Sequence, residues 1–208
     1  MVYRLCYWLS KILTRLLFNL KVIGRENLIC RGGCIIASNH LSYLDPVILG
    51  AGSFRQLDFM AKKSLFRNKL FSRFISSVGA FAVGEEHVGP QGIKEALKRL
   101  AEGKVIVLFP EGTRSESGNL QEGKPGIGLL ALESKVPVIP ARVIGTDKAL
   151  PIGAKSIRPT PISVYFGQPL EFSEFYQQKK KRVNYLKVSQ LVIEKISRLG
   201  PRNENSNG

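Results

Sequence analysis

The sequence predicts an α/β fold: a mostly buried sheet flanked by helices, with an amphipathic helix appended at the N-terminus. Three observations lead there. Short runs of consecutive apolar residues recur beyond residue 30, the pattern of strands covered on both faces. Segments of helical periodicity separate those runs, the alternation of an α/β domain. The chain has 208 residues, no internal repeat and no Pro/Ser-rich linker, so one domain accounts for it. The expected division is 1–23 as the helical appendage, 24–200 as the domain and 201–208 as a disordered tail.

The appendage comes first. In "VYRLCYWLSKILTRLLFNLK", a turn of about 100° per residue gathers Val2, Leu5, Leu9, Ile12, Leu13, Leu16, Leu17 and Leu20 on one face. Arg4, Lys11, Thr14 and Arg15 lie opposite, flanked by Tyr3, Tyr7 and Trp8. The segment lacks the small-residue cleavage site of a signal peptide, and no uncharged run reaches the roughly 18 to 20 residues of a spanning helix. Two roles fit it equally. It packs on the protein's own core, or it lies in a bilayer surface, where Trp and Tyr beside cations are well placed. The second role assigns membrane contact to Leu5, Trp8, Leu9, Lys11, Leu13, Arg15 and Leu16.

Six strands follow: "CIIAS" (34–38), "LDFMA" (57–61), "AFAV" (80–83), "KVIVLF" (104–109), "VIPARVI" (138–144) and "ISVYFG" (162–167). Between them, Asp45 and Pro46 read as an N-cap and the first residue of a helix. "KKSLFRNKLFSRFISS" (62–77) reads as a basic amphipathic helix. "PQGIKEALKRLAEGK" (90–104) has one apolar face and stops at Gly103, and "PGIGLLALESK" (125–135) follows a proline. The end of the chain, Phe172 to Leu199, is polar and carries "KKKR" (179–182).

Thirty-one Lys and Arg against sixteen Asp and Glu leave a net charge of +15, which favours a polyanionic partner: nucleic acid, an anionic membrane or an acidic carrier. The aromatic residues are not interleaved with cations as in single-strand binders, so nucleic acid is not expected. Cys6, Cys30 and Cys34 form no paired framework, and C-x3-C without further ligands makes a poor zinc site. Inert thiols in a reducing compartment, and no metal, are the expectation.

Two motifs carry chemistry. In "NHLSYLD" (39–45), His40 follows a strand, where α/β sheets place their sites. Its imidazole can accept a proton from a hydroxyl nucleophile if a carboxylate on the other ring nitrogen fixes the tautomer, and Asp45 is the nearest candidate. The pattern also fits Asp45 as a cap alone. "FPEGTRS" (109–115) likewise follows a strand, and its turn beside Arg114 suits an anion such as phosphate. It also fits a Glu111–Arg114 pair that braces the loop. Downstream, Lys124 precedes a helix start, a second anion-favouring feature.

"NHLSYLD", "FPEGTRS" and "VPVIP" (136–140), in that order, resemble the motif set of the glycerolipid acyltransferases, from about Gly24 through Leu170 and including "GTDKALPIGAK" (145–155). The basic N-terminal helix resembles that family's membrane-docking helices. The resemblance implies a single acyltransferase domain on a mixed sheet. It makes His40 the general base, Asp45 its orienting carboxylate, and Glu111, Gly112, Thr113 and Arg114 acceptor-binding residues, with Lys124 near the acceptor phosphate. It implies lysophosphatidic acid as acceptor, acyl-carrier protein or coenzyme A thioester as donor, no cofactor, and a peripheral location on the cytoplasmic face of the cell membrane. Glycerol 3-phosphate or another lysolipid is the alternative acceptor. One departure stands out. The second family motif usually places an Arg where this sequence has Gly84, in "GAFAVGEE", a stretch that offers only His87 nearby.

Overall fold

Consecutive apolar residues in the strands divide between two cores, one on each side of a seven-stranded sheet. The computed structural model describes residues 2–29, 31–85, 88–115, 118–177 and 182–201. Cys30, His87, residues 179–181 of the "KKKR" run and the tail from 202 onward lie outside the described residues. The order is α1 (Val2–Phe18), β1 (Lys21–Ile23), β2 (Cys34–Ser38), α2 (Asp45–Gly52), β3 (Leu57–Lys62), α3 (Lys69–Ser77), β4 (Ala80–Gly84) and α4 (Pro90–Ala101). Then come β5 (Val105–Leu108), α5 (Gly126–Ser134), β6 (Val138–Ile144), α6 (Thr146–Ala149), β7 (Ser163–Phe166), α7 (Ser173–Tyr176) and α8 (Arg182–Ser197).

The sheet order is β1-β7-β6-β2-β5-β3-β4, and every pairing is parallel except the antiparallel β6–β7. The sheet is therefore mixed. Ile36, Val105, Val107 and Ile139 point into one core with Ile48 and Leu49 of α2. Their neighbours Ile35, Ile106 and Val138 point into the other, with Ala96 and Leu100 of α4 and Leu130 of α5. Burying both faces of central parallel strands is what their unbroken apolar runs require.

Three local readings change. Lys21–Ile23, counted with the appendage, pairs with β7 and belongs to the sheet. The helix expected over 62–77 is broken: β3 runs through Lys62, a 3-10 turn covers Lys63–Phe66, and α3 starts at Lys69. The cause is Asn68, whose side chain accepts the Phe71 N–H at 3.0 Å and caps a new helix. The polar segment after Phe172 contributes to the domain core, since α8 buries Val188, Val192 and Ile196 in the second core. Asp45 is not the cap of α2. Leu44 holds that position, Asp45 is the first helical residue, and its carboxylate turns back to the preceding loop.

Small residues set how closely the layers approach. A Cβ on Gly128 of α5 would lie 2.0 Å from the Tyr185 carbonyl oxygen of α8. Arg99 of α4 bonds Asp58 at 2.6 Å and Glu95 at 2.7 Å and lies over the Phe81 ring, fastening α4 to β3 and β4. Burial pushes the Cys34 thiol up to about 11, so it is a neutral packing group at ordinary pH. Gly128→Ala is expected to force α5 and α8 apart and to cost about 1–3 kcal/mol, read as a lower midpoint in urea unfolding. An unchanged midpoint would mean that the helix contact is adjustable.

Candidate active site

Parallel pairing brings three loops to one place. β2 lies between β5 and β6 and runs parallel to both, so the chain leaves all three strands at the same edge. Residues 39–45, 109–115 and 145–150 therefore meet above the centre of the sheet, where α/β folds hold ligands.

Asn39 turns the chain out of β2. Its side-chain amide donates to the Val143 carbonyl at 2.9 Å and its oxygen accepts the Val143 N–H at 2.7 Å, standing in for a ladder pair with β6. His40 follows. Its Nδ1 lies 2.8 Å from Asp45 Oδ2, and its ring stacks on Phe109 with centroids 3.9 Å apart. The same Asp45 oxygen accepts the backbone N–H groups of Leu41 and Ser42 at 2.7 and 2.8 Å. The other carboxylate oxygen accepts the Thr146 hydroxyl at 2.6 Å. Asp45 is fully buried, whereas the His40 side chain keeps 18% of its surface exposed. An acceptor at Nδ1 puts the proton there and leaves the lone pair on Nε2, the state of a general base.

The second loop is locked to the first. Glu111, buried, accepts the His40 N–H on one oxygen at 2.8 Å and the Gln121 N–H on the other at 3.0 Å, while the Ser115 N–H donates to the His40 carbonyl at 2.8 Å. Burial pushes the Glu111 carboxyl up, and the two N–H donations act against that shift. Glu111 thus braces the loops, through backbone amides rather than through Arg114. The Arg114 guanidinium instead lies 3.7 Å from the centroid of Tyr43, in the His40 loop.

Gly112 adopts φ +72°, and its N–H is engaged by the Phe109 carbonyl at 3.0 Å. Its amide therefore serves the turn. The Lys124 side chain folds over Gly112, where an added Cβ would come within 2.9 Å of the ammonium nitrogen. Thr113 is exposed. The structure so brings His40, Asp45, Glu111, Arg114 and Lys124 onto two interlocked loops, with Gly112 and Thr113 in the turn between. Gly84 ends β4 at the far edge of the sheet, opposite Lys62 in register.

Sequence reasoning missed three participants. Thr146 holds the second Asp45 oxygen, Tyr43 carries Arg114, and Phe109 fixes the imidazole plane. Thr146 had a signal, since it lies two residues after a strand end, in the "GTDKALPIGAK" stretch.

Known proteins share this chain's features. Residues 19–144 match the family model described as Acyltransferase. A 1-acyl-sn-glycerol-3-phosphate acyltransferase of Bacillus subtilis is 34% identical over 176 residues, 84% of this chain and 85% of the relative. A protein of the same name from Streptococcus pneumoniae is 31% identical over 144 residues, 67% of this chain and 51% of its own length. The crystal structure of the 1-acyl-sn-glycerophosphate (LPA) acyltransferase PlsC from Thermotoga maritima superposes with a TM-score of 0.75, covering 96% of this chain and 81% of that one. At 22% identity, that match speaks for the fold. The family match takes in β1 through β6 and both loops that lock around His40, and this chain belongs to the acyltransferase family.

Proposed function

We propose that this protein transfers a fatty acyl group from an acyl thioester to the 2-hydroxyl of 1-acyl-sn-glycerol 3-phosphate, giving phosphatidic acid. The observation that carries the reading is the 2.8 Å contact between His40 and a buried, multiply bonded Asp45, in a chain whose relatives bear that enzyme's name. Nε2 of His40 takes the proton of the acceptor hydroxyl as its oxygen attacks the thioester carbonyl. The tetrahedral intermediate collapses, the carbon–sulfur bond breaks, and the imidazolium returns its proton to the thiolate. Asp45 stabilises the imidazolium while it exists. A thioester is already activated, so no acyl-enzyme is needed. Positioned base catalysis of this kind contributes about 10²–10⁴-fold.

Arg114 and Lys124 are the cations we assign to the acceptor phosphate. Stacking on Tyr43 restricts the Arg114 guanidinium and keeps its edge available for a charge-assisted contact. The donor is acyl-carrier protein or coenzyme A, both anionic and both suited to a surface of net charge +15.

The acceptor lives in a bilayer, and α1 supports docking there. Among its residues only Thr14 and Phe18 are buried. Leu5, Trp8, Leu9, Ile12, Leu13 and Leu16 are exposed, Leu16 by 76% and Leu5 by 69%. The side turned to the protein is the more polar one: Tyr7 donates to the Ser53 carbonyl at 3.1 Å. Fully covering one such aliphatic side chain is worth up to roughly 1.5–3 kcal/mol. Among the described residues no helix is long and apolar enough to cross a membrane. We therefore place the enzyme as a peripheral protein on the anionic cytoplasmic leaflet, with Lys11 and Arg15 near lipid headgroups.

The direct test is acyl transfer by the purified protein with lysophosphatidic acid and each donor, glycerol 3-phosphate competing. Preference for glycerol 3-phosphate would overturn the acceptor. His40→Ala should lower kcat by about 10²-fold or more while leaving unfolding unchanged; a loss under tenfold would overturn the base assignment. Asp45→Asn can keep the loop, its carbonyl accepting the two N–H groups and its amide facing Thr146. It should nonetheless lose comparable activity, because an amide does not stabilise imidazolium.

Glu111→Gln offers only one acceptor for two N–H groups, so the His40 loop should loosen. The expected result is a similar fall in kcat with every acceptor, phosphorylated or not. A rise in KM confined to phosphorylated acceptors would instead put Glu111 at the phosphate. Arg114→Ala and Lys124→Ala should each raise KM for lysophosphatidic acid with kcat less affected. An unchanged KM in both would mean that phosphate is held elsewhere.

A further inference from the structure

α3 has no buried residue. Leu70 is 83% exposed, and Phe71 and Phe74 are about half exposed, at 46% and 49%. Between Lys62 and Ser77 the chain carries five Lys and Arg and no acid. Among the described residues, Arg67 reaches Glu85 in the loop after β4 at a loose 3.7 Å.

The topology puts this helix on the same face of the sheet as α1. The β2–α2–β3 and β3–α3–β4 connections step the same way across the sheet, so right-handed crossovers set α2 and α3 on one face. α1 packs along α2 on that face. The two helices converge at Leu57. The half-buried Tyr3 phenol near the start of α1 sits beside the Leu57 backbone, and burial raises its pKa there. Gly79, just after α3, crowds the Leu57 carbonyl, which a Cβ would meet at 2.4 Å. From Leu57 they diverge towards the edge where His40 lies: α3 begins after the carboxyl end of β3, and Phe18 of α1 accepts the Ile162 N–H beside the end of β6. Val47 on α2 and Phe54 just after it are exposed as well.

We propose that α3 is a second membrane-docking element, seated with α1 on one anionic bilayer surface so that the His40 loop opens between their diverging ends. The proposal rests on the docking read for α1 and adds a separate contact. Charge selects the occupant. Arg67, Lys69 and Arg73 beside Leu70, Phe71 and Phe74 match anionic headgroups above acyl chains. A second copy docked on the same face would set like charges together. Two contacts also fix the tilt of the enzyme on the membrane, which one helix leaves free to rotate about its axis.

The test uses full-length protein and vesicles of equal parts phosphatidylglycerol and phosphatidylcholine with brominated acyl chains. Trp8 is the only tryptophan, so the parent protein reports α1. A Trp8→Phe, Phe74→Trp protein reports α3. The expected result is a blue shift and bromine quenching of the indole in both proteins. Quenching in the parent alone overturns the role of α3 and leaves α1 docked. Quenching in neither overturns both contacts, and acyl transfer assayed on dispersed acceptor then stands or falls separately. Leu70→Ser, Phe71→Ser and Phe74→Ser together, with circular dichroism and Tm as the fold check, should weaken vesicle binding about tenfold or more. Unchanged binding would overturn the proposal, as would a dimer in light scattering that these substitutions dissociate without vesicles.

Discussion

The fully buried Asp45 carboxylate organises the candidate site. A charge taken out of water survives in a fold only with compensation on its oxygens. Asp45 receives four contacts: the His40 ring, the Leu41 and Ser42 amides, and the Thr146 hydroxyl. Three come from the loop that precedes it, which wraps around the carboxylate as an anion nest. The fourth comes from the start of α6, after β6. One carboxylate thus fixes the loop conformation, sets the imidazole tautomer and joins the ends of two neighbouring strands. The remaining arrangement follows from keeping that group in place.

The sheet supplies the rigidity this demands. β2 is paired along its length on both sides, to β5 and to β6, and is fully buried. Asn39 extends the β6 pairing by one side chain beyond the strand, so His40 departs from a fixed point. Glu111 and Ser115 clamp the backbone on either side of that residue. With Phe109 against one ring face, the imidazole has little freedom left. Placing chemistry on such a support reduces the reorganisation required when substrate arrives.

What the sequence revealed follows from how local each determinant is. Strand identity in "CIIAS" and "VIPARVI" depends only on apolar runs, and both bounds agree with the structure. The His40–Asp45 contact spans five residues of turn, so it was legible once a strand end was recognised. The role of Glu111 was not, because it depends on β2 and β5 lying side by side, 71 residues apart in sequence. Spacing made an Arg114 partner look natural, whereas burial of Glu111 selected backbone amides instead. Lys21–Ile23 escaped notice because three residues give too little alternation, and pairing with β7 alone defines them as a strand. The split at Asn68 was missed for the opposite reason, since helical periodicity in 62–77 outweighed a single capping side chain.

The docking proposed for α1 would reach the site through packing. An amphipathic helix on a soluble protein ordinarily turns its aliphatic face to the core. Here Thr14 and Phe18 are buried and Tyr7 holds Ser53, while the leucines stay outside. That inversion is affordable because β1, a short turn after α1, is hydrogen-bonded into the sheet through β7 and anchors the helix by its end. α1 then lies along α2, whose first residue is Asp45. A surface engaged by the leucines of α1 is therefore one helix layer from the carboxylate that orients His40. Docking in this frame would position the His40 loop relative to the lipid plane as directly as it holds the protein there.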